Sequence, residues 1–384
     1  MDYRTAGESH GQKLVALIEG MPAGVGIDIE LVDGELRRRQ GGYGRGGRMA
    51  IEKDTVTVVS GLRRGVTMGS PIALEIANKD WRIDDAPPVH RPRPGHADLA
   101  GSLKWLTTDC RETLERASAR ETAARVAAGA LARCLIREFG IETVGFVKRI
   151  GEVEARIDAE WRVEELVRRR NANEAYCPDE WSAAAMIGAI KQAKRDKDTL
   201  GGIVEVHVHG APPGLGSCMR RQDKLDGRLM QAVGSIQAIK AVEIGLGFGA
   251  AALPGSEVHD EIGYDAALRD TASLGFTRTR NNAGGIEGGM TNGQPIVVRA
   301  AMKPISTLLR GMDSVNLITK QPERSDYERS DVCSVPAASV VAENVVAFEI
   351  ARVFLDKFGG DTLTEVRAAY ENFMEAARGI GGPT

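Results

Sequence analysis

The sequence predicts an α+β fold, in which short strands and helices are interspersed without regular βαβ units. Several segments alternate apolar and polar residues as strands do, and many of them end at glycines. Longer segments between them have the composition and periodicity of helices. The length of 384 residues alone suggests two or three domains of about 150 residues each. However, no linker or change in composition marks a boundary between domains.

Four segments alternate in the manner of strands. In the first of them, valine and isoleucine alternate with glycine, aspartate and glutamate. Successive side chains of a strand point to opposite faces, so a period of two places the apolar residues on one face. The predicted strands are residues 25–30, 55–59, 203–209 and 296–302.

Helices are predicted where proline is absent and alanine or apolar residues recur at helical spacing. The segment 111–138 is alanine-rich, has no proline and contains Gly129 as its only glycine. Two further helices are predicted at residues 336–357 and 364–378. The highly charged region 155–198 is also predicted to be helical.

Composition limits the possible classes of protein. With 50 basic and 53 acidic residues the net charge is −3, which argues against a general nucleic-acid coat. Five scattered cysteines favour a reducing compartment over a disulfide framework or a zinc ribbon. The first residues lack an apolar core and no long apolar run occurs, so we expect neither a secretion signal nor a membrane span. Glycine accounts for 45 residues, which indicates tight turns and close backbone approaches.

Two histidines lie in segments that could carry chemistry. His10 lies between glycines in residues 7–11, where an imidazole can titrate near neutral pH. The alternative there is a polar turn. His96 follows a Pro-Gly turn, with Asp98 two residues further on, and is a candidate general acid on a rigid loop. A surface histidine is the alternative at that position.

Arginines form two groups that could bind an anion. Residues 37–48 combine five arginines with five glycines in a predicted loop, which suits a polyanionic small molecule, while RNA and a solvated loop are alternatives. Arg116 and Arg120 are predicted to share one helix face, with Ser118 pointing elsewhere. An exposed ion-pair ladder with Glu112 is possible, but the alanine-rich surroundings favour an anionic partner.

Three other segments resemble ligand-binding motifs. The glycine-rich residues 281–293, followed by residues 303–307, could hold a phosphate through backbone N–H groups and hydroxyls. Residues 245–250 have the glycine spacing of a dinucleotide-binding turn, but a proline follows too soon for the long helix that such a site requires. His207 and His209 share one strand face, yet without a third ligand we expect a solvent-facing strand edge and no metal site.

Taken together, these segments resemble the chorismate synthase family. The motifs occur in family order across nearly the whole chain, which makes the resemblance specific although each motif alone is weak. They are TAGESHG at 5–11, RRRQGGYGRGGRM at 37–49, RPGHAD at 93–98, ERASARETAARVAAGA at 115–130, DTLGG at 198–202, PPGLGS at 212–217, AIKAVEIGLGF at 238–248, NNAGGIEGGMTNG at 281–293, MKPISTL at 302–308 and ERSDVC at 328–333.

The resemblance implies a lyase of aromatic amino acid biosynthesis in the shikimate pathway. Family members convert 5-enolpyruvylshikimate 3-phosphate to chorismate and phosphate by a 1,4-elimination that requires reduced FMN without net redox change. Some of them reduce the flavin with NADPH, so NADPH is a possible reductant here. The implied fold is a single-domain β-α-β sandwich over residues 1–384, two antiparallel sheets with helices packed between them. The implied assembly is a cytoplasmic homotetramer without nucleic-acid or membrane partners.

The resemblance also implies roles for individual residues. His10 would protonate the reduced flavin, His96 would protonate the leaving phosphate, and Asp331 would help the flavin deprotonate the substrate. Ser9 and Ser118 would lie beside substrate and flavin. The residues implied to bind the anionic groups of the substrate are Arg39, Arg45, Arg48, Arg120 and Arg329. Arg39 and Arg45 would also contact NADPH if it binds. The residues implied to bind FMN are Arg116, Ala117, Ser118, Gln237, Ala238, Gly288, Lys303, Pro304, Ile305, Ser306, Thr307 and Arg329.

The sequence departs from the family at one place, and two other classes of function are alternatives. Many bacterial relatives have a histidine in the stretch that corresponds to residues 106–110, where this chain has none, so no role is assigned there. A flavin- or NADPH-dependent oxidoreductase is one alternative. An RNA-binding protein that uses residues 37–48 is the other, and its binding would depend steeply on salt.

Overall fold

The computed structural model describes residues 1–46, 53–158, 161–326 and 330–380, which form a mixed α/β fold. The helices are α1 (Ile29–Gln40), α2 (Asp98–Trp105), α3 (Arg111–Ala117), α4 (Thr122–Arg137), α5 (Val163–Asn171), α6 (Glu180–Arg195), α7 (Leu225–Gly234), α8 (Gly255–Val258), α9 (Val335–Phe358) and α10 (Leu363–Arg378). The longer strands are β1 (Asp2–Ala6), β2 (Lys13–Glu19), β3 (Thr57–Ser60), β6 (Ile72–Ala77), β7 (Glu142–Ile150), β9 (Gly202–His209), β10 (Ile239–Ile244) and β15 (Ile296–Met302). The shorter strands are β4 (Leu62–Arg63), β5 (Val66–Thr67), β8 (Val153–Glu154), β11 (Ile262–Tyr264), β12 (Phe276–Arg278), β13 (Ile286–Glu287), β14 (Met290–Thr291), β16 (Asp313–Val315) and β17 (Pro322–Arg324).

Two antiparallel sheets form the framework. The first has the strand order β1-β2-β6-β3, and the second has the order β10-β15-β9-β7-β8. Along β15 buried and half-buried residues alternate, as expected for a strand with one face in the core. The remaining described strands pair two by two as β4-β5, β11-β12, β13-β14 and β16-β17.

The central helices α4 and α9 pack along each other and cover faces of both sheets. α4 contacts β2 and β6 of the first sheet, and α9 contacts β7 and β9 of the second. α9 is buried on almost every side, because apolar residues surround its axis. Gly129 of α4 allows the close approach, since a Cβ atom there would lie 2.1 Å from the backbone oxygen of Asn344 in α9.

The most regular sequence patterns are confirmed. The strands predicted at residues 203–209 and 296–302 are β9 and β15, and the helices predicted at 336–357 and 364–378 are α9 and α10. β9, β15 and α10 each keep one periodicity along the element, whereas α9 is a long, mostly apolar run that follows Pro336. No helix in the described ranges is both long enough and apolar enough to cross a membrane.

The strand predicted at residues 25–30 is wrong. Only Gly26 makes a β-bridge, to Val66. Asp28 instead begins α1, because its side chain accepts a hydrogen bond from the backbone N–H of Leu31. Val25 and Ile27 are buried all the same, and Ile29 is half-buried. The alternation therefore marks a segment that lies on the core without pairing as a strand.

The strand predicted at residues 55–59 is shifted along the chain. The observed strand β3 begins at Thr57, two residues later than predicted, and ends at Ser60. A side chain of α1 accounts for part of the shift, because Asp33 accepts the N–H of Val56 at 2.8 Å. That N–H is therefore not available for pairing between strands.

The helices predicted at residues 111–138 and 155–198 are each interrupted. The first breaks at Ser118, whose backbone is extended with ψ of 143° and whose Oγ accepts the N–H of Arg120 at 3.2 Å. This break separates α3 from α4. The charged region contains α5 and α6 as two separate helices. The arginine- and glycine-rich segment predicted as a loop begins inside α1, which ends at Gln40.

Candidate active site

A cavity of about 420 Å³ lies beside the break between α3 and α4, and its size is typical of a small-molecule site. Its wall combines the loops before β2, after α1 and before α2 with segments next to β10, β15 and the start of α9. The predicted site residues that line it are Ser9, His10, Arg39, Arg45, His96, Ala117, Ser118, Arg120, Gln237, Ala238, Lys303, Ile305, Ser306, Thr307 and Asp331.

Some predicted residues lie elsewhere. Those that do not line the cavity are Arg116, Gly288 and Pro304, while Arg48 and Arg329 lie outside the described residues. Arg116 donates to the carbonyl oxygens of Gly7 and Thr5, at 2.9 and 3.0 Å, and so ties α3 to the end of β1. The prediction that Arg116 and Arg120 share one helix face is wrong, because the break at Ser118 lies between them. Arg116 is exposed, whereas Arg120 is buried.

A buried carboxylate holds His10. The Nδ1 atom of His10 lies 2.9 and 3.0 Å from the two carboxylate oxygens of Glu115, and the backbone N–H of His10 donates to the same group at 2.8 Å. Although burial acts to raise it, these hydrogen bonds hold the pKa of Glu115 below its ordinary value. On the other side of the ring, Nε2 lies 4.0 Å from Asp80, and both His10 and Asp80 line the cavity.

His96 has the same kind of partner. Its Nδ1 is hydrogen-bonded to Asp98, a carboxylate with no exposed surface. Arg93 donates to Asp98 from its backbone N–H at 3.0 Å, from Nε at 2.8 Å and from a terminal nitrogen at 3.0 Å. Although burial acts to raise it, the hydrogen bonds from His96 and Arg93 hold the pKa of Asp98 well below its ordinary value. Asp98 therefore stays ionised at neutral pH.

Arg39 and Arg120 bind one buried carboxylate, Asp54. A terminal nitrogen of Arg120 donates to Asp54 at 2.8 and 2.6 Å, and one of Arg39 donates to it at 3.4 Å. The Nε atom of Arg120 donates to Asn78 at 2.8 Å. The Nε atom of Arg39 donates to Thr122 at 2.9 Å. Burial, helped by the charge of Arg120, lowers the pKa of Arg39 to about 9 despite Asp54. Two guanidinium groups beside one carboxylate make this wall cationic, which suits an anion.

Asp331 joins the start of α9 to the arginine-rich segment. Its carboxylate accepts hydrogen bonds from Arg45 at 2.6 Å and from the backbone N–H of Gly46 at 2.7 Å. Gly44 allows this contact, because its φ is +99° and a Cβ atom there would lie 2.9 Å from the backbone oxygen of Cys333. The two segments therefore fit together only with glycine at this position.

Comparison with known proteins identifies the family. The sequence model of the chorismate synthase family matches residues 1–355. A chorismate synthase of Desulforamulus reducens is 52% identical over 390 residues, which cover 98% of this chain and 99% of that protein. One of Acidobacterium capsulatum is also 52% identical over 390 residues, with the same coverage. The chain belongs to the chorismate synthase family. A solved structure of a chorismate synthase also superposes with a TM-score of 0.80 at 41% identity, covering 98% of each chain.

Membership of the chorismate synthase family defines the reaction. The chain is a carbon–oxygen lyase of the shikimate pathway, which leads to the aromatic amino acids. It eliminates phosphate from 5-enolpyruvylshikimate 3-phosphate in a 1,4-elimination that gives chorismate. Chorismate synthases require reduced flavin, although the reaction causes no net redox change.

The cavity residues fit the flavin that chorismate synthases require. The Oε1 atom of Gln237 is buried and has no hydrogen-bond partner among the described residues, so it can accept from an N–H of a bound ring. Lys303 supplies a cation, and burial lowers its pKa. The apolar residues of the wall are Leu114, Ile236, Met302, Ile305, Ala337, Ala338 and Val341. A flat heterocycle with a phosphate tail needs such an apolar wall, a polar anchor and cations.

The sequence prediction missed several polar residues around the cavity. It assigned no role to Glu115, Asp54 or Arg93, and it noted Asp98 without a function. Glu115 does carry a signal, since it is an acidic residue in the predicted alanine-rich segment 111–138, three residues before the predicted Ser118. Asp54 carries none, because its arginine partners are distant in sequence. Residues 106–110, to which the sequence prediction assigned no role, do not line the cavity.

The prediction that His207 and His209 lie at a solvent-facing strand edge is wrong. β9 lies between β15 and β7 in the second sheet, so it is an inner strand. The ring of His207 packs against that of Phe146, with their centroids 5.2 Å apart, and its Nε2 lies 2.7 Å from a carboxylate oxygen of Glu205. Within the described ranges, no group of three or more histidine, cysteine or acidic side chains could hold a metal ion.

Proposed function

We propose that the elimination takes place in this cavity, with His10 and His96 as its proton-transferring groups. His10 supplies a proton on the flavin side and His96 supplies one to the leaving phosphate. Asp331 assists removal of the substrate proton, and Ser9 and Ser118 contact substrate and flavin; these two hydroxyls are 3.2 Å apart. The observation that supports this proposal most is that residues from motifs far apart in the sequence line one cavity.

The arginines of the wall form the proposed substrate site. The substrate carries two carboxylates and a phosphate, and guanidinium groups bind such anions in a defined geometry. Arg39, Arg45 and Arg120 line the cavity and would contact these groups. Arg48 and Arg329 are proposed to join them, because each lies within a few residues of a segment that lines the wall. With a net charge of −3, attraction of the substrate depends on this local cluster.

Reduced FMN is proposed to bind beside the substrate, where it supplies an electron-rich ring. The residues of the cavity that would hold it are Ala117, Ser118, Gln237, Ala238, Lys303, Ile305, Ser306 and Thr307. Pro304 lies between two of them in the chain. Arg116 and Gly288 do not line the cavity, so they would contact only parts of the cofactor that extend beyond its wall. Arg329 completes the proposed set.

The proposal is tested by turnover and by cofactor binding together. The purified protein, given 5-enolpyruvylshikimate 3-phosphate and dithionite-reduced FMN without oxygen, should release chorismate and phosphate in equal amounts. Oxidised FMN without reductant should give no product. Replacing Gln237 with Ala should weaken FMN binding in a fluorescence titration, whereas the exposed Gln321→Ala should not. Absence of product with reduced FMN would contradict the proposal, as would unchanged FMN binding in the Gln237 variant.

NADPH is proposed as a possible source of electrons for the flavin, with Arg39 and Arg45 as its contacts. Both side chains line the cavity and present cations to a phosphate group. Mixing the protein with FMN and NADPH under anaerobic conditions tests this, because flavin absorbance bleaches on reduction. If bleaching occurs only with an added reductase, the protein depends on an external reductant.

The assembly proposed is a cytoplasmic homotetramer of single-domain chains without nucleic-acid partners. Each chain, residues 1–384, is proposed to be a β-α-β sandwich, since α4 and α9 contact both antiparallel sheets. The five cysteines are free thiols, which suits a reducing compartment. Arg38 and Arg39 are paired with carboxylates inside the protein, which argues against an RNA-binding tail. Light scattering of the purified protein tests the tetramer, and a salt-dependent RNA retention assay tests the RNA alternative.

A further inference from the structure

We propose that Glu115 and Asp98 are positioning residues that hold the Nδ1 atoms of His10 and His96 and so direct Nε2 of each ring toward the cavity. The inference rests on the proposed function, in which these histidines transfer protons. Glu115 and Asp98 are not among the residues that line the cavity. Each therefore acts on the reaction through its histidine.

The contacts of Glu115 determine which nitrogen of His10 carries hydrogen. Glu115 is 1% exposed, and its lowered pKa keeps it ionised, so its oxygens can only accept hydrogen bonds. The Nδ1 atom of His10, at 2.9 and 3.0 Å, must then donate. In the neutral ring Nε2 therefore carries no hydrogen, and it gains one when the ring is protonated, which is the proton that the histidine is proposed to supply. Further contacts to Glu115, from the backbone of His10 at 2.8 Å and from Arg111 at 3.4 Å, keep the carboxylate in place.

The contacts of Asp98 lead to the same state of His96. One terminal nitrogen of Arg93 lies 3.0 Å from Nδ1 of His96, 3.5 Å from its Nε2 and 3.0 Å from Asp98. Two donors cannot share a hydrogen bond, so with Asp98 ionised Nδ1 donates to the carboxylate. The Arg93 nitrogen has two hydrogens, one for Asp98 and one that Nε2 of the neutral ring can accept. Arg93 thus anchors the carboxylate that anchors His96. The same arrangement occurs at two histidines whose carboxylates come from different parts of the chain.

The test at His10 uses an isosteric change. In Glu115→Gln the amide can meet Nδ1 with either its oxygen or its NH₂ group, so it no longer fixes the tautomer. We expect kcat to fall by about 10² to 10⁴-fold, the usual contribution of a placed acid or base, while KM for 5-enolpyruvylshikimate 3-phosphate stays within about threefold. Glu112→Gln is the matched control, because Glu112 is exposed on the same helix and its charge change should leave kcat unchanged.

A double-mutant cycle separates positioning from a structural role. If Glu115 acts through His10, Glu115→Gln should cost little more once His10 is already alanine, so the double variant should match His10→Ala within about threefold. A merely structural role predicts that the two losses multiply. The cycle of Asp98→Asn with His96→Ala follows the same logic, with the exposed Asp84→Asn as its control.

A spectroscopic measurement on the unaltered protein does not depend on whether the variants fold. Long-range ¹H–¹⁵N spectra of histidine-labelled protein report the tautomer of each of the six histidines. We expect His10 and His96, assigned from the alanine variants, to carry hydrogen on Nδ1 when neutral. Hydrogen on Nε2 in both rings would overturn the inference, as would multiplicative losses in both cycles. Wild-type kcat in His10→Ala and His96→Ala would instead contradict the proposed function.

Discussion

One terminal nitrogen of Arg120 donates to both carboxylate oxygens of Asp54, at 2.8 and 2.6 Å. Arg39 donates to the same carboxylate at 3.4 Å, and all three side chains are buried. Asp54 therefore balances two guanidinium groups that the substrate anions are proposed to contact. Its removal should make the stability of the cavity wall depend on the anions in solution.

Asp54→Asn tests this balance. Loss of the carboxylate removes the negative charge that two buried guanidinium groups share, so we expect a loss of about 3–5 kcal/mol in the free energy of unfolding. Inorganic phosphate should then stabilise the variant more than the wild type, because the anion can replace part of that negative charge. Urea unfolding with phosphate or with chloride at equal ionic strength measures both effects. Equal stabilisation of the two proteins by phosphate would contradict the argument.

Glu343→Gln should destabilise the core without touching the cavity. Glu343 has no exposed surface and binds Arg170 at 2.5 Å and both Arg38 and Arg133 at 3.2 Å. Removing this charge takes the carboxylate from buried Arg170 and leaves Arg38 and Arg133 to share Glu35, for an expected loss of about 3–5 kcal/mol in the free energy of unfolding. Glu371→Gln on the exposed face of α10 is the control. A loss below about 1 kcal/mol at Glu343 would show that the network contributes little.

The same network predicts how stability depends on pH. Although burial acts to raise it, Arg133 and Arg38 lower the pKa of Glu35 from 4.5 to about 2, and arginines also lower that of Glu343. A carboxyl group whose pKa is lower in the folded than in the unfolded chain stabilises the protein fully at pH values above its unfolded pKa. That stabilisation is lost as the pH falls from about 4.5 toward 2. In urea unfolding between pH 6 and 3, the free energy of unfolding should begin to fall as the pH approaches about 4.5 and should keep falling to pH 3. A constant free energy over this range would be inconsistent with these shifts.

Gly129 and Gly188 form a matched pair of helical glycines. A Cβ atom at Gly129 would lie 2.1 Å from a backbone oxygen of α9, whereas one at Gly188 would meet nothing within 4 Å. Gly129→Ala should therefore destabilise the protein by about 1–3 kcal/mol or more through overpacking of α4 on α9. Gly188→Ala should stabilise it by about 0.5–1 kcal/mol, because alanine favours the helix. Thermal unfolding of both variants measures the direction of each stability change. A higher Tm in Gly129→Ala would exclude close packing at that position.

The sequence predicts the parts of this fold in which one periodicity persists. β9, β15 and α10 have such patterns, α9 is a long, mostly apolar run, and all four are confirmed. Residues 25–30 also alternate in burial, but strand pairing needs a partner, and only a single bridge forms there. The break at Ser118 depends on one hydrogen bond between its hydroxyl and a backbone N–H, which composition does not reveal.

In the candidate site, too, the sequence predicts some residues and not others. Histidines and arginines stand out in the sequence because they lie in glycine-rich motifs. Two of their carboxylate partners, Asp54 and Glu115, do not, since Asp54 lies 66 residues from Arg120 and Glu115 lies 105 residues from His10. Only the folded chain brings them together. The family resemblance predicted most of the residues that line the cavity, and the structure adds the buried carboxylates that bind them.

The proposal that His10 and His96 transfer protons in the cavity is tested most directly by initial rates of chorismate formation. These rates are compared, with reduced FMN, in single histidine variants. His10→Ala and His96→Ala should each lower kcat by about 10² to 10⁴-fold with folding intact. His90→Ala should keep the wild-type rate, because His90 does not line the cavity and its Nδ1 lies 2.9 Å from the backbone oxygen of Thr108. Wild-type rates in both cavity variants would contradict the account.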